Sequence, residues 1–175
     1  LVLLVHLRSL LIPLKAIALN LLSVLASYGF LILVFQDGHG AKLLGLTPPG
    51  GLNAFIVLML FTILFGLSMD YEVFLLSAIR ARYLRSGNSR ESVAHGIATT
   101  GGTITSAAAI MISLFLSFGF THLIATRELG LGLAFAVTLD ATIVRLVLLP
   151  ALMALFGRAN WWLPSFVSRR AGDET

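Results

Sequence analysis

The stretch from Asn53 to Arg80, NAFIVLMLFTILFGLSMDYEVFLLSAIR, is apolar enough to cross a bilayer, yet it carries Asp70, Tyr71 and Glu72 well inside the run. An ionised Asp near a helix centre costs about 2.5–3.5 kcal/mol on insertion scales, and Leu and Ile neighbours at roughly −0.5 kcal/mol each offset it, so the helix still spans. A group so costly to insert is a functional candidate by default.

The remainder of the chain is of the same kind. Its 175 residues are 58% hydrophobic and 11% charged, with a mean hydropathy of +0.96, more than a domain with a polar surface carries. A span needs about 20 apolar residues. The runs predict an all-α integral membrane bundle over 1–157, with four complete spans at about 16–35, 54–79, 98–118 and 128–156, plus the end of a fifth at 1–7. Leu1 to Leu7 lacks the charged start and cleavage site of a signal peptide, so the chain reads as a fragment cut inside a span. Residues 158–175 hold Trp161 and Trp162, an interfacial belt, and then a polar tail.

The sequence pI near 10.1 reflects topology rather than nucleic-acid binding. Arg8, Lys15, Arg80, Arg82, Arg85, Arg90, Arg158, Arg169 and Arg170 fall in segments on one side of the spans, and Lys42 and Arg127 on the other. By the positive-inside rule the first side is cytoplasmic. A multi-pass protein of the cell membrane is expected, with cytoplasmic connectors at 8–15 and 80–95 and a cytoplasmic C-terminus. The absence of Cys excludes thiol catalysis, thiolate metal sites and disulfides. Asp37 and His39, in the turn-rich loop 36–51, are two ligands without a third, so no metal or other cofactor is expected. His6, His95 and His122 fall near span edges and read as interfacial.

Helical geometry turns each side chain by about 100°, so Asp70 and Glu72 point to different faces. Thr62, Gly66, Asp70, Phe74 and Ser77 share a stripe of polar and small members that should face other helices. Glu72 lies about 3 Å nearer the cytoplasmic surface, within reach of headgroups or Arg80, and ranks below Asp70. Protonation of an intramembrane carboxyl depends on whether water or a cation reaches it, which suits a proton relay; Tyr71 can donate a hydrogen bond to a carboxylate on another helix. In the next span Gly102, Ser106, Ala109, Ser113 and Ser117 form one small-residue face, which allows close helix approach; Gly66, Gly101, Gly102 and Gly132 are the packing candidates. Thr103, Ser106, Asp140 and Arg145 are expected to supply a supporting polar network. Asp140 and Arg145, five residues apart, sit about 140° from each other on a helix, which favours partners on other helices and lets Arg145 snorkel; a structural role leads for this pair. Asn20 reads as a cap or a link between helices.

These motifs resemble a known family. Phe65-Gly66-Leu67-Ser68-Met69-Asp70-Tyr71-Glu72-Val73-Phe74-Leu75, Gly87 with Ser92-Val93-Ala94, and Thr100-Gly101-Gly102-Thr103-Ile104-Thr105-Ser106-Ala107-Ala108 are similar to the MMPL (mycobacterial membrane protein large) family of the RND transporter superfamily. The closing Asp140-Ala141-Thr142-Ile143-Val144-Arg145, Pro150-Ala151-Leu152-Met153 and Asn160-Trp161-Trp162-Leu163-Pro164 resemble the end of that family's C-terminal transmembrane half. The resemblance implies a twelve-span, non-enzymatic exporter of lipids or other hydrophobic molecules, driven by the proton gradient, with Asp70 and Tyr71 as one of two Asp-Tyr relay pairs. It also implies a missing N-terminal half and extracytoplasmic domains as intramolecular partners. Ala78, Ala81 and Arg82 depart from the Arg and acids that the family usually carries there.

Two other readings compete. A sterol-sensing-like lipid-binding bundle shares the helix arrangement but needs no central ionisable pair. An intramembrane aspartyl protease would use Asp70 and Asp140 as a dyad; the order Asp-Tyr and the Leu139 before Asp140 argue against it.

Overall fold

The computed structural model describes residues 9, 11–39, 51–157 and 160. The expected span at 1–7, most of the loop with Lys42, and the Trp161-Trp162 belt and tail lie outside the described residues. Among the described residues all regular structure is helical, and four helical runs are long and apolar enough to cross a membrane.

Helix α1 (Leu11–Leu31) runs into a short π-helical segment, Ile32–Gln36. It starts earlier than the apolar run suggests, because Pro13 falls in the first turn, where a missing N–H costs nothing, and the Ser9 hydroxyl accepts the Ile12 N–H at 3.4 Å. Helix α2 (Ala54–Ser86) and helix α3 (Ser89–Phe118) continue well past the expected spans, so most of the 80–95 connector is helix. The turn between them is as short as its chemistry allows. Gly87 takes φ 65°, a left-handed conformation that glycine adopts without a Cβ penalty. Asn88 caps α3 by accepting the Arg90 and Glu91 N–H groups at 3.1 and 3.3 Å. Asn88→Ala is expected to lower stability by about 1 kcal/mol, read as a lower thermal midpoint in detergent. Arg82 pairs with Glu91 across this turn at 2.5 Å, a charge pairing between adjacent helices that uses the residue departing from the family pattern.

The fourth run comprises α4 (Ile124–Leu139), a π-helical segment (Asp140–Leu148) and α5 (Leu149–Phe156). In the π segment hydrogen bonds reach back five residues rather than four, as from the Leu149 N–H to the Val144 carbonyl. Pro150, which has no N–H to donate, sits at the start of α5.

The helices enclose two apolar cores. Ile12, Ala16, Leu75, Leu76, Ile79, Leu149 and Met153 belong to the core at the end bearing the α2–α3 turn. Leu31, Phe35, Leu60, Leu64, Leu133 and Val137 belong to the core at the opposite end. In lipid, helices gain no hydrophobic energy from each other, so close approach through small residues carries the packing. A Cβ on Gly132 would come within 2.5 Å of the Leu60 side-chain end and 3.1 Å of that of Leu31. Gly130 is tight against backbone, since a Cβ there would lie 2.7 Å from the Phe115 carbonyl oxygen and 2.5 Å from Phe118 Cβ. Around Gly66 and Gly102 a Cβ would meet nothing within 4 Å. Gly130→Ala is therefore expected to cost about 1–3 kcal/mol or more, since backbone cannot yield as side-chain ends do. Gly132→Ala should be milder and Gly66→Ala neutral to this bundle, compared by thermal midpoint.

Candidate functional site

Between the two apolar cores lies a polar layer built from three of the four runs. Helix α1 contributes Asn20 and Ser23, α2 contributes Ser68 and Glu72, and the π segment contributes Asp140 and Arg145; all six are buried. Asp140 and Arg145 form an ion pair, with the Arg145 Nη2 donating to Asp140 Oδ2 at 2.6 Å. Ser68 Oγ donates to both Asp140 oxygens at 3.2 Å, and Ser23 Oγ to Oδ1 at 3.5 Å. Arg145 Nη2 also reaches the Ser68 carbonyl at 3.2 Å. The guanidinium lies 5.2 Å from the centre of the Tyr71 ring, a distance at which the ring face attracts a cation.

This pairing corrects the expectation that Asp140 and Arg145 point apart and that Arg145 snorkels. The expectation used α-helical spacing. In a π-helical segment, residues five apart fall close to one face, so the two side chains meet, and Arg145 is held in the interior at 4% exposure.

The acids of α2 are also placed differently. Leu64, Ser68, Glu72, Leu75 and Ile79 form the buried face of α2, and Glu72 is 5% exposed. Glu72 therefore points into the bundle rather than toward headgroups or Arg80. Of the stripe expected to face other helices, Thr62, Gly66, Asp70 and Phe74 are exposed, and Ser77 is partly buried. The sequence contained two such stripes, each with one acid, and periodicity could not say which one this chain covers. Tyr71 is partly buried, and its hydroxyl donates to the Met111 sulfur at 3.4 Å rather than to a carboxylate.

Helix α3 does not join the polar layer as expected. Thr103 and Ser106 are exposed, and Ser106 Oγ donates to the Thr103 carbonyl at 3.0 Å. Thr105, Ser113 and Ser117 likewise bond carbonyls of their own helix at 2.8, 2.8 and 2.6 Å. Hydroxyls satisfied one turn back need no partner on another helix. The buried face of α3 is instead Gly96, Thr100, Ile104 and Ala108, so the small-residue face with Gly102 and Ser106 points outward, and Gly101 is half-buried.

Two small clefts flank the ion pair. One is lined by Asn20, Ser68, Glu72, Asp140 and Arg145 with apolar neighbours, the other by Ser68, Tyr71, Asp140 and Arg145 with Leu and Ala. Each has room for about one water. Asn20 Nδ2 and Arg145 Nη1 are buried donors with no hydrogen-bond partner among the described residues. A buried donor left unmet is costly, and both line the cleft that holds Glu72.

A model of the MMPL family matches residues 1–173. The chain is 46% identical over 168 residues to the heme uptake protein MmpL11 of Mycobacterium tuberculosis, 96% of this chain and 17% of that protein. It is 46% identical over 167 residues to the mycolic acid-containing lipids exporter MmpL11 of Mycolicibacterium smegmatis, 95% of this chain and 17% of that protein. With the trehalose monomycolate exporter MmpL3 of the same organism it shares 38% identity over 161 residues, 92% of this chain and 16% of that protein. The chain thus spans about one sixth of the length of these relatives.

Proposed function

The chain belongs to the MMPL family, and on that footing we propose that it is the C-terminal transmembrane part of a transporter that exports a lipid or other hydrophobic molecule across the cell membrane, driven by the proton gradient. Asp70 and Tyr71 relay protons in this reading. The observation that carries it is the position of Asp70: an acid midway along a membrane-spanning helix, on a face that no described helix of this chain covers. An uncompensated carboxylate facing lipid is disfavoured, so that face suits a second set of helices carrying the other relay pair. The connectors near 8–15 and 80–95 lie in the cytoplasm in this arrangement, and the extracytoplasmic domains select the substrate.

Export is the direction named for two of the relatives, and uptake of heme for another; both kinds of cargo are largely hydrophobic. The test uses full-length protein in vesicles with an imposed pH gradient, offered a mycolic-acid-containing lipid or heme. Gradient-dependent movement of the lipid, abolished by a protonophore, is the expected result. Movement of heme alone would reverse the direction and cargo, and movement indifferent to the gradient would overturn the proton-driven reading.

A further inference from the structure

The Asp70 relay leaves two buried acids of the described residues without a role, Glu128 near the start of α4 and Glu72 in the polar layer. Glu72 is enclosed between the cores, on the face of α2 that turns away from Asp70. It lines one cleft with Asp140 and with Asn20 Nδ2 and Arg145 Nη1, the two buried donors that have no partner among the described residues.

A count of charges makes this arrangement informative. The layer holds one cation, Arg145, and two carboxyls, Asp140 and Glu72. Asp140 takes the Arg145 Nη2 and the Ser68 and Ser23 hydroxyls, the donor set of an ionised carboxylate. With both acids ionised the layer would carry an unbalanced negative charge out of water, which is strongly disfavoured. With one proton added the layer is neutral.

We propose that Glu72 is a second proton-binding site of the transporter, with Arg145 as the counter-ion it shares with Asp140. In the closed layer the proton sits on a Glu72 oxygen and the Arg145–Asp140 pair is intact. When water enters the cleft the proton leaves to it. The ionised Glu72 then accepts from Arg145 Nη1 and Asn20 Nδ2, which have no partner among the described residues, while Nη2 stays on Asp140. The remaining charged or titratable groups near the layer are few. Helix α1 offers only the neutral Asn20 and Ser23, α2 adds Tyr71 beneath the guanidinium, α3 brings no charged group to the cleft, and α5 brings Leu149.

The inference rests on the proton-driven reading, and its test separates the two. Full-length protein is reconstituted in vesicles as wild type, Glu72→Gln, Glu72→Asp and Asp70→Asn. Infrared difference spectra over a pH series report carboxyl protonation, and an entrapped pH dye reports proton uptake under an imposed gradient. Glu72→Gln is expected to lose a protonated-carboxyl band that the wild type shows, and to flatten the pH profile of uptake. Glu72→Asp, which keeps the carboxyl but withdraws it by one methylene, is expected to keep a band and shift the profile's midpoint; if Glu72→Gln does not fold, this shift decides. Retention of the wild-type band and profile in Glu72→Gln overturns the proposal. So does a uniform fall in uptake with the profile's shape unchanged, as a packing defect would give. If Asp70→Asn uncouples uptake while Glu72→Gln does nothing, the relay stands and the role of Glu72 falls; if Asp70→Asn also leaves coupling intact, the proton-driven reading falls too.

Discussion

Asp70→Asn in the full-length protein is expected to abolish gradient-driven transport while leaving membrane abundance and thermal midpoint close to wild type. The two halves of that statement have one cause. Among the described residues the Asp70 side chain is exposed, so the amide should cost this bundle little, on the scale of about 0.5 kcal/mol for substitutions away from buried networks. An amide also cannot bind and release a proton in the working range. Transport at matched expression, with and without a protonophore, checks the first half, and unfolding in detergent the second. A variant that folds normally, transports normally and still responds to the gradient would leave Asp70 without a role in coupling. A variant that fails to fold would mean that the Asp70 carboxylate also holds the interface with the second set of helices together.

Arg145→Met should give the opposite signature, a large loss of stability. The guanidinium is the one cation in the polar layer and sits 2.6 Å from Asp140. Removing it strands a buried carboxylate beside a second acid, Glu72, and breaking a buried pair in this way costs about 3–5 kcal/mol. Removing both members is different. Asp140→Leu with Arg145→Met deletes cation and anion together, and such replacements are often neutral or stabilising by roughly 1–4 kcal/mol. The double variant is therefore expected to recover most of the midpoint lost in Arg145→Met. Failure to recover would mean that the π-helical segment depends on the pair for its geometry. Recovery of stability without recovery of transport would show that the pair is kept for function and not for packing.

Much of the candidate site can be read from the residues, but not how its members meet. Asp70, Tyr71, Asp140 and Arg145 stand out because an ionisable group inside an apolar run is unusual wherever it points. The burial of Ser68 and Glu72 is hidden because α2 is apolar nearly all round, and its two acid-bearing stripes look alike until one is covered. Thr103 and Ser106 mislead because a Ser or Thr in a helix can satisfy itself one turn back, which composition does not reveal. Gly130 escapes notice because its importance lies in the Phe115 carbonyl and Phe118 across the α3–α4 turn, not in any local pattern.

By itself, the sequence determines the four long spans among the described residues and their order, the all-helical class and the family, because apolar length, charged connectors and ordered motifs are properties of the chain taken one segment at a time. The Asp140–Arg145 pair, the burial of Glu72 and the outward face of Asp70 are decided only in the folded bundle. A switch from four- to five-residue hydrogen bonding rotates one side chain onto another, and the choice of which α2 stripe is covered depends on where α1 and the fourth run pack, a sum of small contacts spread over every helix.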